Sequence, residues 1–179
     1  MKSSSLFLAL GFVFPSNVAL SQHQPYAGLQ ARSIKALSDE QVSDLKAGRG
    51  MGLALAAELN GYPGPSHVLE LADKLALSTD QRAKVQRLFD SMKAEALPIG
   101  AKLIEQETEL DRLFASRSIA QDSLRATTAA IAMTQGNLRE AHLKYHLSTV
   151  AVLSEDQIRR YGEFRGYGAG HQGGMHHRN

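Results

Sequence analysis

Apolar residues in the second half of the chain recur at alternating spacings of four and three. Such spacing places side chains on one face of a helix, so two long amphipathic helices are predicted, one with its seam over 85–113 and the other spanning 122–152. A short polar stretch at 116–119 separates them, which predicts an antiparallel hairpin. The first apolar seam contains Val85, Phe89, Met92, Ala96, Ile99, Leu103, Leu110 and Leu113. The second contains Leu124, Thr128, Ile131, Gln135, Leu138, His142, Tyr145, Thr149 and Val152.

A recurring pattern marks three helix starts. In each copy a Leu and a Ser stand before a Gln, with acidic residues between Ser and Gln. The Ser oxygen can accept from the Gln backbone N–H, while the Gln side chain returns to the Ser N–H, so each copy predicts a capping box. The copies consist of Leu37, Ser38 and Gln41, of Leu77, Ser78 and Gln81, and of Leu153, Ser154 and Gln157.

Shorter elements are expected before the hairpin. Helices are predicted from Ser38 to about 47 and over 51–60, joined by the glycine cluster at 48–52. That cluster favours a hinge over a phosphate loop, because no strand precedes it and no Lys-Ser/Thr pair follows it. Ser66 is expected to cap another short helix, and Pro98 should kink the first long helix.

The fold class that follows is all-α: a long antiparallel hairpin with a Pro-kinked helix, plus short flanking helices. A last helix is expected from Ser154 to about 164. Two long helices do not enclose a core by themselves. A second face of the helices, made of Ala, Leu and Val, is left partly exposed to solvent. A curved antiparallel homodimer would cover that face.

The first 21 residues have the pattern of a cleavable secretory signal peptide. Lys2 precedes the apolar run at 6–14, and Pro15 ends that run. Ala19 and Ser21 are small residues at the −3 and −1 positions of a signal-peptide cleavage site after Ser21. An uncleaved anchor is the alternative, although the run is shorter than a bilayer requires. We therefore expect export to the periplasm, followed by an N-terminal arm with short helices at 22–65, the helical domain at 66–167 and a flexible tail rich in Gly and His at 168–179. Residues 22–35 lack periodicity and are expected to be extended.

The amino-acid composition limits the kinds of function that we expect. The net charge is +2, which falls to +1 without residues 1–21, so nucleic acid is not an expected partner. The chain has no Cys, and no Ser-His-acid arrangement is implied, so enzymatic activity is not expected and no cofactor is required. The seven His, all after residue 21, are the main candidates for chemistry.

His142 and His146 stand four residues apart on one helix, where two imidazoles can share Zn²⁺, Cu²⁺ or Ni²⁺. Leu143 occupies the place where a metalloprotease would need its general-base Glu. Antiparallel pairing of the long helices predicts that Met92 and Glu95 face the His pair and complete a metal site. The alternative is that these polar seam residues only hydrogen-bond.

Two further places carry candidate metal ligands. His67 lies at the start of a short helix, where a structural role is the alternative. The tail contains His171, Met175, His176 and His177, which can bind Cu or Ni loosely or remain solvated. His23 would be the second residue of a chain cut after Ser21, where an amine and an imidazole can chelate Cu²⁺.

The motifs at 77–81 and 153–157, in an exported helical chain with a proline inside its long helix, resemble the Spy/CpxP-like family of periplasmic proteins named for its LTxxQ motif. Ser replaces the usual Thr in both copies, and either hydroxyl can cap a helix. Residues 50–77 also resemble a subgroup described as heavy-metal sensors or refolding chaperones. The resemblance covers 66–167 by pattern, and we expect it to extend to Tyr26.

The resemblance implies a curved, antiparallel, all-α homodimer without enzymatic activity. Family members are either ATP-independent chaperones that hold unfolded periplasmic proteins, or metal-responsive proteins that bind zinc, copper, nickel or cobalt. We expect a chaperone-like stress protein, with metal binding as a candidate additional property; the alternative is a heavy-metal sensor or buffer that signals to an inner-membrane partner. The family's sensors carry a His pair on the helix of His67, whereas this chain has Leu71 four residues on.

Overall fold

The computed structural model describes residues 26–167, which form six α-helices and contain no strand. A 3₁₀ turn at Leu29–Ala31 precedes them. Within the described part of the chain, no helix combines the length and apolar character needed to cross a bilayer. The helices are α1 Asp39–Ala47, α2 Leu55–Glu58, α3 Pro65–Glu70, α4 Thr79–Ala115, α5 Gln121–Val150 and α6 Glu155–Arg165.

All three predicted capping boxes are present. Ser38, Ser78 and Ser154 each accept a hydrogen bond from the backbone N–H three residues later, and the Gln at that position accepts from the Ser N–H. These residues begin α1, α4 and α6, as the sequence indicated. The all-helical class is therefore confirmed.

Helix α5 returns along α4 with its C-terminal end beside the start of α4. The Gln81 side chain donates to the Val152 carbonyl at 2.9 Å, and Lys144 pairs with Glu95 at 2.6 Å. Pro98 lies inside α4, which continues through it as one helix. The predicted bend at Pro98 and the predicted dimer remain predictions.

The α5 seam differs from the predicted one at two positions. Thr128 and Gln135 are exposed, whereas Thr134 and Ala141 are buried. A strict four-three spacing assumes 3.5 residues per turn, and a straight helix has 3.6, so the buried face drifts around the helix with each heptad. Thr128 instead donates to the Leu124 carbonyl at 2.8 Å.

The segment at 34–50 lies along the hairpin, and we call it the N-terminal strap. At one end Ile34 is buried and Lys35 pairs with Asp111 at 3.2 Å. Further on, the Leu45 carbonyl approaches Gly100 so closely that a Cβ there would lie 2.7 Å from it. The strap therefore runs antiparallel to α4. The expected extended arm up to residue 35 is wrong in part, since residues 29–31 form a turn and Ile34 joins the core.

The short helices also differ from expectation. The helix expected over 51–60 is reduced to α2, because Gly52 and Gly61 adopt left-handed backbone conformations with φ of 77° and 82°. Ser66 does not cap α3, which starts one residue earlier at Pro65; the fixed φ of proline suits the first helical position. The predicted signal peptide at 1–21 and the tail at 168–179 lie outside the described residues.

Candidate metal-binding cavity

A cavity of about 490 Å³ lies where the end of the strap meets α3, α4 and α5. Its walls combine backbone of the glycine-rich hinge, apolar side chains and several groups with nitrogen, oxygen or sulfur donors. The side chains on the wall that carry such atoms are Arg49, Met51, Glu58, Ser66, His67, Glu70, Met92, Lys93, His142 and His146. The cavity therefore gathers, from distant parts of the chain, three of the His that the sequence singled out.

His142 is buried, with 3% of its surface exposed, and its Nε2 atom has no hydrogen-bond partner among residues 26–167. Gly50 packs against the ring, and a Cβ at Gly50 would lie 3.5 Å from Nδ1. Burial, and repulsion from His146 when that ring is protonated, lower the pKa of His142 below its usual value. A buried imidazole that stays neutral and has an unpartnered nitrogen is in the state that a metal ligand requires.

His146 is held by the loop between α2 and α3. Its Nδ1 lies 2.6 Å from the Tyr62 carbonyl oxygen, so Nδ1 carries the proton and donates it there. This leaves the Nε2 lone pair free to act as a ligand, in the arrangement that orients metal-bound histidines in proteins. A Cβ at Gly64 would lie 2.8 Å from Nε2, so only glycine fits at this position beside the ring.

Glu58, at the end of α2, organises the wall behind His146. Its Oε1 lies 3.2 Å from His67 Nδ1 and accepts from the hydroxyls of Tyr161 and Tyr167. Its Oε2 accepts from the Gly64 N–H at 3.2 Å. One carboxylate therefore joins α2, α3, α6 and Tyr167, the second residue beyond α6.

The same contacts set the protonation of this group. Burial alone would raise the pKa of Glu58, but bonds from His67, Tyr161 and Tyr167 outweigh it and lower the pKa to about 2. Burial and the bond to Glu58 raise the pKa of Tyr161 in turn. Glu58 is thus a buried carboxylate at neutral pH, stabilised by donors from three directions.

The local sequence explains why these groups converge. Gly61 and its φ of 82° turn the chain after α2, and the two buried prolines Pro63 and Pro65 fix the path into α3. The chain thereby places Glu58 on one side of a short loop and His67 on the other. The i, i+4 spacing then brings His142 and His146 to the same side of α5, facing that loop.

The structure brings together most, but not all, of the predicted ligands. Met92 is buried and lines the cavity with the His pair, and His67 lines it while bonded to Glu58. Glu95 does not line it: its two carboxylate oxygens bind Lys144 at 2.6 Å and Tyr145 at 3.2 Å. Glu95 therefore contacts Lys144 and Tyr145 on α5, and not the two histidines that were predicted as its partners. His171, His176 and His177 lie outside the described residues.

The donor set fits a metal ion only in part. His142 and His146 supply imidazole nitrogens, and Met92 supplies a thioether; these are ligand types suited to zinc, nickel and copper. Among residues 26–167, however, no group of three His, Asp or Glu side chains is arranged to hold an ion. The described residues therefore offer an incomplete site, which further ligands would have to fill.

Glu58, Tyr161 and Tyr167 were not predicted as part of the site. Glu58 stands in an Ala/Leu-rich stretch, where an acid ordinarily marks the solvated face of a helix. Its tyrosine partners lie more than a hundred residues away in sequence, at separations of 103 and 109. The one available signal was the run of Gly and Pro at 61–65, which indicated a tight loop next to it.

Comparison with protein families gives one match. A family model described as heavy-metal resistance matches residues 50–160, which span the cavity, the hairpin and most of α6. Comparison with curated proteins found no match, and comparison with solved structures found none. The matched range begins at Gly50, the residue that packs on His142.

Proposed function

This chain belongs to the heavy-metal resistance family, and from that premise we propose that it binds zinc, copper or nickel in the cavity, as a metal buffer or sensor. The observation that carries the proposal is His142: a buried imidazole, kept neutral, whose Nε2 has no partner among residues 26–167. An unpartnered polar atom in a protein interior costs about 1–3 kcal/mol. A ligand for that atom offsets the cost.

The neighbours of His142 support a metal over other ligands. His146 has its proton fixed on Nδ1 by Tyr62, and Met92 adds a soft donor. The hard oxygen donor Glu58 is occupied by His67, Tyr161 and Tyr167. Nitrogen and sulfur donors select transition metals over Mg²⁺ and Ca²⁺, which prefer oxygen. The proposed role is binding without catalysis.

Location and partners belong to the same proposal. The signal-peptide pattern at 1–21 supports export to the periplasm, where a metal-binding protein meets incoming ions. A sensor would pass the signal to an inner-membrane protein, and a homodimer would cover apolar surface left on the hairpin. Fusion of residues 1–25 to a reporter that is active only after export tests the location.

Calorimetric titration with Zn²⁺, Cu²⁺ and Ni²⁺ near pH 7.5 tests the metal site. We expect binding that is lost or weakened by about tenfold or more in His142→Ala, because a ligand has been removed. Gln135→Ala, on the exposed face of the same helix, is the matched control and should bind as the unsubstituted protein does. Absence of micromolar binding for all three metals would reject the proposal.

A chaperone-like role is the second candidate, and exposed apolar side chains on the hairpin favour it. Met133 and Leu147 on α5 are 70% and 61% exposed, and Phe114 near the end of α4 is 53% exposed. Such side chains could hold unfolded proteins. Light scattering of an unfolding client tests this role: suppression should be reduced in Met133→Ser/Leu147→Ser. No suppression by the unsubstituted protein at several-fold excess would reject it.

A further inference from the structure

The sulfur atoms of the described chain are concentrated at the cavity. The chain has five methionines and no cysteine, so methionine is its only source of sulfur ligands. Three methionines lie within residues 26–167. Two of them, Met51 and Met92, line the cavity with the His pair, whereas Met133 on α5 is 70% exposed. The cavity therefore offers two thioethers, of which the proposed metal site has so far used one.

Met92 lies on α4 at the level of the His pair, and it is buried. Three residues further along α4, Glu95 contacts Lys144 and Tyr145 on α5. Because the two helices run antiparallel, a residue that precedes Glu95 lies beside residues that follow Tyr145, and His146 is the first of these. Met92 therefore reaches the cavity wall close to the level of His146.

Met51 stands at the mouth of the cavity in a strained backbone conformation. Its φ is 44°, in the left-handed region that residues other than glycine rarely adopt. It directly follows Gly50, which packs on the His142 ring, and it is 38% exposed. Strained residues of this kind cluster at ligand clamps. Since the Met side chain is unbranched and flexible, it can turn from the mouth toward a metal ion beside His142.

A donor set of two imidazoles and two thioethers suits monovalent copper better than zinc. Structural zinc sites take thiolates and imidazoles, whereas neutral thioethers are soft donors that suit Cu⁺. All four donors are uncharged, and Lys93 adds a positive charge to the wall. Moving an ion from water to uncharged donors costs less for a single charge than for a double charge. Charge and softness therefore favour the same ion.

We propose that Met51 and Met92 act as thioether ligands beside His142 and His146, and that the ion this site prefers is Cu⁺. The inference rests on the proposed function, since it requires metal at the His pair. Divalent ions use the same imidazoles but gain less from the two sulfur atoms. Met51 completes a site that is incomplete without it, and it thereby sets the preference for copper over zinc.

Competition with a coloured Cu⁺ chelator, under argon with ascorbate, measures the affinity for Cu⁺, and calorimetry measures that for Zn²⁺. We expect Cu⁺ to bind more tightly than Zn²⁺. Met51→Leu and Met92→Leu should each weaken Cu⁺ binding by about tenfold, because a ligand is lost, and weaken Zn²⁺ binding far less. Leucine has nearly the volume of methionine, so the packing is retained. Met133→Leu is the matched control and should change neither affinity.

X-ray absorption at the copper edge supplies a second readout. Sulfur neighbours of the copper should be seen in the unsubstituted protein and be lost in Met51→Leu/Met92→Leu. An unchanged Cu⁺ affinity in Met51→Leu, or Zn²⁺ bound more tightly than Cu⁺, would overturn the inference. If that binding still depends on His142, the proposed function stays intact. Failure to bind Cu⁺ as well as Zn²⁺, Cu²⁺ and Ni²⁺ rejects the proposed function and this inference together.

Discussion

Gln81 and Gln157 exchange hydrogen bonds through their side-chain amides: Gln81 Nε2 donates to Gln157 Oε1 at 2.9 Å, and Gln157 Nε2 donates to Gln81 Oε1 at 3.1 Å. Each Oε1 also accepts from the N–H of its own capping Ser. The remaining amide protons bind the carbonyls of Val152 and Leu75. The two capping boxes thus form one unit that joins the starts of α4 and α6.

Replacement of either glutamine should cost more stability than the loss of a cap. Gln81→Ala or Gln157→Ala leaves the partner amide and a carbonyl without their bonds, so we expect a loss of about 2 kcal/mol of unfolding free energy. Gln41→Ala is the matched control: Gln41 caps α1 by the same motif and has no side-chain amide partner among residues 26–167, so its loss should cost about 1 kcal/mol. Urea unfolding measures all three. Strictly additive losses in Gln81→Ala/Gln157→Ala would contradict a shared unit.

Acid should destabilise the fold through Glu58. Its pKa is about 2 in the folded protein against an ordinary 4.5, so the unfolded chain binds the proton at higher pH. The stability from ionised Glu58 is complete above about pH 4.5 and is lost as the pH falls toward 2; the difference corresponds to about 3 kcal/mol. Urea unfolding from pH 6 to pH 2.5 should show this loss in the unsubstituted protein and a smaller loss in Glu58→Gln. Glu140→Gln, at an exposed position on α5, should behave as the unsubstituted protein does.

The pKa of His142 should lie below the ordinary imidazole value of 6.5, because burial, and repulsion from His146 when that ring is protonated, disfavour the protonated form of His142. The unfolded chain then takes up this proton first, so the stability from neutral His142 is present above pH 6.5 and is lost as the pH falls below it. Proton NMR of the histidine rings measures the midpoint, with His142→Ala used for assignment. A midpoint at or above 6.5 would show that the ring is not buried in this way.

Replacing two glycines in the long helices by alanine should change the stability of the fold in opposite directions. A Cβ at Gly100 would lie 2.7 Å from the Leu45 carbonyl oxygen, so Gly100→Ala should force the strap away and cost about 1–3 kcal/mol. Gly136 on α5 has open space around it, and Gly136→Ala should stabilise the helix by about 0.5–1 kcal/mol. Thermal melts compare the two. Equal shifts would argue against the close contact of strap and hairpin.

Local patterns predicted the starts of α1, α4 and α6, because a capping box is closed within four residues. Ser38, Ser78 and Ser154 needed no knowledge of the rest of the fold. The pairing of Gln81 with Gln157 could not be predicted in the same way, since it depends on where α6 returns. The repeated motif was visible, whereas the contact between its copies was not.

The candidate site was predicted in part for the same reason. The i, i+4 spacing of His142 and His146 is local, and it correctly placed both on one side of α5. Which residues face each other across the cavity depends on how α4 and α5 are rotated and in what register they pair. A small error in the predicted pairing placed Glu95 opposite the His pair, whereas it contacts Lys144 and Tyr145. The buried role of Glu58 is visible only from its contacts, because nothing in the surrounding sequence distinguishes it from an acidic residue on a solvent-exposed helix face.

The course of the N-terminal strap determines how the fold bears mechanical load. The strap enters near the hairpin turn, with Lys35 on Asp111, and finishes near the middle of α4, with Gly48 beside Leu97 and Gly50 beside His142. A pull on the N-terminal side, directed away from the hairpin surface, would therefore break these contacts one after another and not all at once. The Lys35 ion pair would break first and the packing of Leu45 on α4 next. The contact with His142 would break last.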